Sequence, residues 1–255
     1  MTVDFTGWLA ENYNWKLSLL TLAGILAGVG LLRLVERLFP TFRAAADHNS
    51  RMFASKMQRA SYAANQAWNM RWGGIFILLI FGLIMPFYLT LDAQPWWRYP
   101  LDIVVILMVY DFFYYVTHRF VFHASPFFGG PLLWMHSVHH RQHDPCRKDS
   151  SYIHPLEVAI GLGLYVMTIV GLSFVMGDFH VLSIVLTWIA FQEINTHNHH
   201  KWEEDRFPFR YLHYSSHMHH NHHKSFNGGN FATITLLYDW MFGTVDNGEG
   251  LKQAK

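Results

Sequence analysis

"WGGIFILLIFGLIMPFYLTL", residues 72–91, contains no charged side chain. About 20 predominantly apolar residues in a helix span the roughly 30 Å hydrocarbon core of a bilayer. Such a segment belongs in lipid, and four further runs share its character. Leu17 to Leu32 is uncharged, with Arg33, Glu36 and Arg37 following where an interface would lie. Leu101 to Thr117 is apolar apart from Asp102 and Asp111, and Val158 to Gly177 is uncharged. Phe179 to Gln192 is shorter and stops at Glu193. Gly177-Asp178, between the last two runs, predicts a tight hairpin. The expected fold is an all-α integral membrane bundle of about five hydrophobic helices. The first run lacks a following small-residue cleavage site, and its charged end is on the wrong side for a cleaved signal.

Composition agrees. Hydrophobic residues make up 51% of the chain and charged residues 15%. A net charge of +1 gives no electrostatic case for nucleic acid. Cys146 is the one cysteine, which rules out an intrachain disulfide, and nothing marks a cysteine metal site. Segment 41–71 mixes basic and apolar residues and is expected to rest at the interface as one or two helices. Turn signals at Asn227-Gly228-Gly229-Asn230 and Asn247-Gly248 punctuate the tail. With no internal repeat and no linker, residues 1–255 read as one membrane-embedded domain.

If all five runs cross, 39–71, 118–154 and 197–255 share one side. The two loops there hold Arg43, Arg51, Lys56, Arg59, Arg71, Arg119, Arg141, Arg147 and Lys148, against Lys16 and Arg98 opposite. The positive-inside rule makes the first side cytoplasmic. Every histidine cluster falls on it, so the bundle is expected to carry a cytoplasmic histidine-rich helical cap.

The chain has 18 histidines. "HSVHH" places His136, His139 and His140 at spacings of three and four, on one helical face. "HMHHNHH" repeats the pattern with His219, His222 and His223, but His213, His217 and His220 form a competing stripe, and geometry alone leaves both open. His118 and His123, in "HRFVFH", share a face only if the helix unwinds or ends between them. His197 ends the fifth run, with His199 and His200 as alternatives. His154, before Pro155, is a candidate supporting residue, whereas His48, His143 and His180 have no partner at metal-like spacing. Asp111 lies seven before His118 and Glu193 four before His197, so each is a candidate acceptor for the second N–H of a ligating imidazole. Carboxylates are too few for the Glu-x-x-His type of bundle site. Eight or nine imidazoles exceed the needs of one ion and imply two metals. Imidazole suits zinc and iron alike. An active site beneath the headgroups that attacks an unactivated C–H bond of an acyl chain or sterol requires redox chemistry, which points to iron.

These residues resemble the fatty acid hydroxylase/sterol desaturase superfamily of integral-membrane di-iron enzymes. The matching text is "HRFVFH", "HSVHH" and "HHNHH", flanked by "DFFYYVTHR", "LLWMHSVHH", "IHPLE" and "NGGNFA…YDWMFGT", over roughly residues 105–245. The resemblance implies a di-iron centre held by His118, His123, His136, His139, His140, His219, His222 and His223, with His197 as the intermediate ligand. It implies O2-dependent hydroxylation or desaturation of a fatty acyl, sterol, ether-lipid or carotenoid substrate. No "HPGG" motif of a fused cytochrome b5 domain is present, so electrons are expected from a separate cytochrome b5-like or ferredoxin/reductase donor. The alternative is a membrane zinc hydrolase or metal transporter. Transport is disfavoured because Asp102 and Asp111, on one helix, are the only deep ionisable groups. Zinc in an overproduced sample would be mis-metallation, since zinc outcompetes ferrous iron at nitrogen ligands.

Overall fold

A computed structural model of the chain describes residue 7 and residues 12–123 and 129–251. Helix α1 (Trp15–Leu38) begins where Asn14 Oδ1 accepts the Lys16 N–H at 3.1 Å, satisfying one of the free donors of a helix start. It ends at Phe39-Pro40. Proline excludes the residue before it from the helical region, and Phe39 is extended at φ −96°, ψ 122°. The same proline opens α2 (Pro40–Met57), where a missing N–H costs nothing. Helix α3 (Ala60–Leu79) runs on through a π-turn and a 3-10 turn to Phe87. After strand β1 (Leu89–Thr90), α4 (Arg98–Thr117) continues into a π-turn, His118–Phe122. The short α5 (Leu133–His136) is followed by 3-10 turns at His139–Arg141 and Arg147–Ser151. Helix α6 (Pro155–Met176), strand β2 (Phe179–His180), α7 (Val181–Asn198), α8 (Arg210–Lys224) and α9 (Leu237–Met241) complete the described chain.

The chain is a helical membrane bundle. Among the described residues, four rods are long and apolar enough to cross a bilayer: Trp15–Leu38, Ala60–Phe87, Arg98–Phe122 and Pro155–Met176. Their outer faces are bare hydrocarbon, with Leu26 74% and Phe174 80% exposed, and lipid is the solvent that accepts such faces. The fifth hydrophobic run is also a helix, but it differs from expectation. Helix α7 has 18 residues, carries Ser183, Thr187, Gln192 and Glu193, and is not among the four. It packs against α1 and α4 as the centre of the bundle, with Ser183, Ile184, Thr187 and Trp188 buried. The 41–71 segment also corrects the expectation. Only α2 is a separate interfacial piece, because the chain breaks at Arg59, extended at φ −83°, ψ 117°, and 60–71 is the start of the α3 rod.

The two ends of the bundle differ in kind. At one end β1 and β2 pair in parallel, Leu89 with Phe179 and Thr90 with His180. Arg98 Nη2 donates to the Met176 carbonyl at 2.6 Å, and Tyr13 O–H donates to the Gly82 carbonyl at 2.5 Å. The expected α6–α7 hairpin turns here on Gly177 at φ +78°, a conformation that glycine adopts without a Cβ penalty. His180 Nδ1 accepts the Leu182 N–H and caps α7. Helix α7 therefore runs back antiparallel to α6 and delivers its histidine-rich terminus to the opposite end. Between the two ends lies an aromatic core. Trp188 stands edge-on to Phe81 at 4.9 Å, and Phe191 is 4.8 Å from Tyr165 and 5.0 Å from Tyr110.

One buried carboxylate ties the cap to the rods. Asp149 accepts the Tyr62 hydroxyl at 2.6 Å and the Cys146 N–H at 2.7 Å, and pairs with Lys56. It joins α2 and α3 to the turn before α6. Asp149→Ala strands Lys56 and Tyr62, and is expected to lower stability by about 3 kcal/mol. Thermal unfolding of the detergent-solubilised protein reads this as a lower midpoint, and an unchanged midpoint would show that the node bears no weight.

Candidate metal centre

Nine buried histidines meet in two groups at the end of the bundle away from the strand pair. His118, His123, His136, His140 and His222 form one, and His139, His199, His219 and His223 form the other. Within each group the candidate ligand nitrogens lie within 4.8 Å of one another. Nitrogens around one ion at about 2.1 Å lie no more than about 4.2 Å apart, so a small contraction suffices.

The spacing of the two H-x2-H-H boxes explains this division. Residues four apart lie on one helical face, and the third histidine is rotated away from them. In the first box the four-apart pair, His136 and His140, enters the five-histidine group, while His139 enters the other. In the second box the four-apart pair, His219 and His223, enters the four-histidine group, while His222 crosses to the first. Each box thus serves both groups, in opposite proportion.

The five-residue gap between His118 and His123 is closed by the π-turn. Five residues make about 1.4 turns of an α-helix, which would point the two rings apart. In the π-turn the His123 N–H bonds to the His118 carbonyl at 3.1 Å, so five residues complete one turn. The ring centroids are then 5.0 Å apart.

Hydrogen bonds at the far nitrogens decide what the facing nitrogens are. The Nδ1–H of His118, His123 and His222 donates to the carbonyls of Phe231, Phe226 and Gly229 at 2.6, 2.9 and 2.7 Å. His136 Nδ1–H donates to Glu157 Oε1 at 2.8 Å. In the second group His139 and His199 donate to the carbonyls of Tyr152 and Asn195 at 3.2 and 3.0 Å. Each of these imidazoles is left with a bare lone pair on Nε2. Yet Nε2 of His118 lies 3.0 Å from Nε2 of His136, and Nε2 of His139 lies 3.0 Å from Nε2 of His199. Two lone pairs cannot hydrogen-bond to each other. A cation shared between the facing nitrogens would relieve these contacts, and the donor set of each group fits an imidazole-bound metal.

One expected ligand and two expected supporting carboxylates stand elsewhere. His197 lies outside both groups, its Nε2 bonded to the Leu212 carbonyl at 2.8 Å. His199, at the end of α7, takes the place expected of it. Asp111 contacts no histidine. Seven residues are about 10.5 Å of helix, too far to reach the His118 ring. Asp111 instead accepts the N–H groups of Thr233, Ile234 and Thr235 at 2.8, 2.8 and 3.0 Å. It fastens to α4 the chain segment that follows the Phe226–Phe231 carbonyls. Glu193 faces Arg33 and Arg147, which also share Glu36, and does not reach His197. Among the described residues, Glu157 is the carboxylate that does hold a clustered imidazole. It hides in "IHPLE", where it reads as an acidic first-turn residue of α6. His213 and His217 stack on each other outside both groups, and His154 caps α6.

The groups open on a cavity of about 270 Å³. His118, His136, His139, His199 and His219 form one wall, and Ile77, Tyr110, Leu162, Trp188 and Phe191 form the apolar remainder. The cavity lies between α3, α4, α6 and α7, which places an oily slot against both clusters. Burial holds the cap histidines neutral. The imidazoles of His123 and His139 are pushed down to about 4, and those of His136, His140, His199, His219, His222 and His223 lie well below the usual value. Neutral imidazole is the form that binds metal.

A family model described as "Fatty acid hydroxylase" matches residues 103–244, a span that includes all nine clustered histidines. A Dictyostelium discoideum protein named as a methylsterol monooxygenase is 30% identical over 154 residues, which is 60% of this chain and 53% of that protein. An Arabidopsis thaliana methylsterol monooxygenase is 26% identical over 171 residues, covering 65% and 60%. A very-long-chain aldehyde decarbonylase of Oryza sativa is 29% identical over 157 residues, covering 57% and 55%. The match thus spans between about half and three-fifths of the length of these relatives. No solved structure matches the chain.

Gly229→Ala tests the carbonyl cradle. A Cβ at this position would collide with the Thr244 carbonyl oxygen and displace the Gly229 carbonyl from His222. Metal content measured by elemental mass spectrometry is expected to fall by about half, since disturbing a supporting partner weakens binding by about 10–100-fold. Unchanged content would show that the cradle does not orient the site. A second expectation concerns pH. Burial pushes the folded imidazoles below their ordinary value of 6.5, those of His123 and His139 to about 4, so below about pH 6.5 the unfolded chain binds more protons. The midpoint of chelator-treated protein should be steady above pH 6.5 and fall progressively toward pH 4. A flat profile would mean that the rings are solvated.

Proposed function

The chain belongs to the fatty acid hydroxylase family, and from that premise we propose that it is an O2-dependent lipid hydroxylase or desaturase. One observation carries the reading: bare imidazole lone pairs converge in two groups on the wall of an oily slot inside a membrane bundle. His118, His123, His136, His140 and His222 would hold one iron, and His139, His199, His219 and His223 the other. Two such irons, reduced by a separate electron-donor protein, would supply O2 activation strong enough for an unactivated C–H bond.

The chain's own residues perform the remaining tasks. Ile77, Leu162, Trp188 and Phe191 grip hydrocarbon and exclude water from the slot. The carbonyls of Phe226, Gly229 and Phe231 hold protons at Nδ1, so that Nε2 stays available. Glu157 does the same for His136. His118 and His136 bring the first group to the slot, and His139, His199 and His219 bring the second, so a C–H bond in the slot lies beside both. The excess of Arg and Lys in the loops on the histidine side favours a cytoplasmic active site.

Metal content and turnover test the proposal together. Protein made with iron supplementation should carry about two irons per chain and consume O2 with a lipid substrate. His139→Ala and His222→Ala should each lose metal and reduce oxidation at least about 100-fold. Two zincs that iron loading does not displace, with hydrolytic turnover, would replace this reading with a membrane zinc hydrolase.

A further inference from the structure

Among the described residues lining the slot, two side-chain oxygens are buried and have no hydrogen-bond partner: Asn69 Oδ1 and Glu157 Oε2. Both side chains are fixed through their other ends. Asn69 Nδ2 donates to the Ile153 carbonyl at 2.6 Å and to Asn65 Oδ1 at 3.0 Å. Glu157 Oε1 accepts the His136 Nδ1–H at 2.8 Å. Four other polar side chains of the lining already have partners within the fold. Ser150 donates to the Arg147 carbonyl, Ser151 to Gln66, Thr196 to the Glu193 carbonyl, and Thr233 to Asn195. A buried acceptor without a donor is unfavourable, and buried polar groups in folded proteins are otherwise almost always paired. No donor of the fold reaches these two oxygens.

The wall also states what the donor is not. No Lys or Arg lines the slot among the described residues. A carboxylate or phosphate head would bring only acceptors and would leave both orphaned oxygens without a donor. An ammonium head would lie beside histidine groups whose donor chemistry fits two cations. A neutral hydroxyl meets both conditions. It donates a proton to one orphaned oxygen and carries no charge into the slot.

We propose that the slot recognises a neutral lipid through its hydroxyl, which donates to Glu157 Oε2 or Asn69 Oδ1 while the hydrocarbon fills the Ile77–Leu162–Trp188–Phe191 end. That this lipid is also the substrate rests on the oxidase reading above. The same hydroxyl chemistry is found on long-chain alcohols and on sterols.

The test is equilibrium binding of radiolabelled hexadecanol to the full-length protein in detergent micelles, with and without metal. Hexadecyl methyl ether, palmitate, hexadecylamine and cholesterol serve as competitors. The ether keeps the chain and the oxygen but loses the donor. It is expected to bind roughly tenfold more weakly than hexadecanol, the loss of one hydrogen bond at a buried acceptor, and palmitate and hexadecylamine should compete no better. Competition by cholesterol assigns the hydroxyl to a sterol, and its failure beside tight hexadecanol binding assigns it to a linear alcohol. Glu157→Gln places an amide donor beside the slot, and should narrow or reverse the preference for alcohol over ether. A merely structural role for Glu157 would weaken both ligands alike. Equal binding of alcohol and ether by the unmodified protein overturns the proposal, as does tighter binding of palmitate. Failure here leaves lipid oxidation measurable on other substrates, whereas alcohol-selective binding without oxidation removes the oxidase reading and leaves the hydroxyl site standing.

Discussion

An imidazole has two nitrogens and, when neutral, one proton. Committing that proton to a fixed acceptor decides the chemistry of the other nitrogen. In this protein the acceptors are mostly backbone carbonyls, and three of them belong to the short stretch Phe226–Phe231. The stretch must therefore be held rigidly. Asp239 accepts the Phe231 and Ala232 N–H groups, Asp246 accepts the Gly229 N–H, and Asp111 accepts the three that follow in 233–235. Three buried aspartates thus organise a loop whose carbonyls organise the histidines. The polar atoms are arranged in layers, with carboxylates outermost and bare lone pairs at the centre.

The membrane sets the complementary condition. In lipid a helix satisfies its own backbone, so the spanning rods can leave their surfaces apolar and contribute position alone. The polar construction around the histidines sits at one end, where irregular backbone is covered by protein. The strand pair and the Gly177 corner close the other end and return α7 toward the cap. Helix α7 also explains how the slot meets the clusters, because Trp188 and Phe191 lie about three and two turns before His199 along the same helix. One element carries both the oily wall and a candidate ligand.

Much of this was legible in the residues. Long uncharged runs need no periodicity to declare a bundle, and two H-x2-H-H boxes announce histidine pairing through helical spacing. The limits are equally physical. His197, His199 and His200 fall within one turn at a helix end, where the outcome depends on how the helix stops. Asp111 was expected to support His118 because sequence spacing reports the face of a helix but not the reach of a side chain. Glu157 carries no signal of its role, because an acidic residue just after a proline is ordinary helix-start chemistry. The acceptor carbonyls leave no trace in residue identity. Only the glycines and the left-handed Asn230 hint that the chain turns tightly there.

The π-turn at His118–Phe122 is, in effect, an α-helix with one residue too many. Removing any single codon between His118 and His123 would give four-residue spacing and return the segment to the regular, intrinsically better bonded helix. The two rings would still share a face, so the local loss would be small. The chain leaving His123, however, would start from a narrower turn that is one residue shorter. His123 would pull on Phe226, and α5 would no longer present His136 toward Glu157. The irregularity is thus a spacer whose length is matched to the rest of the cap. Descendants of this chain can alter the residues within it far more freely than they can alter their number.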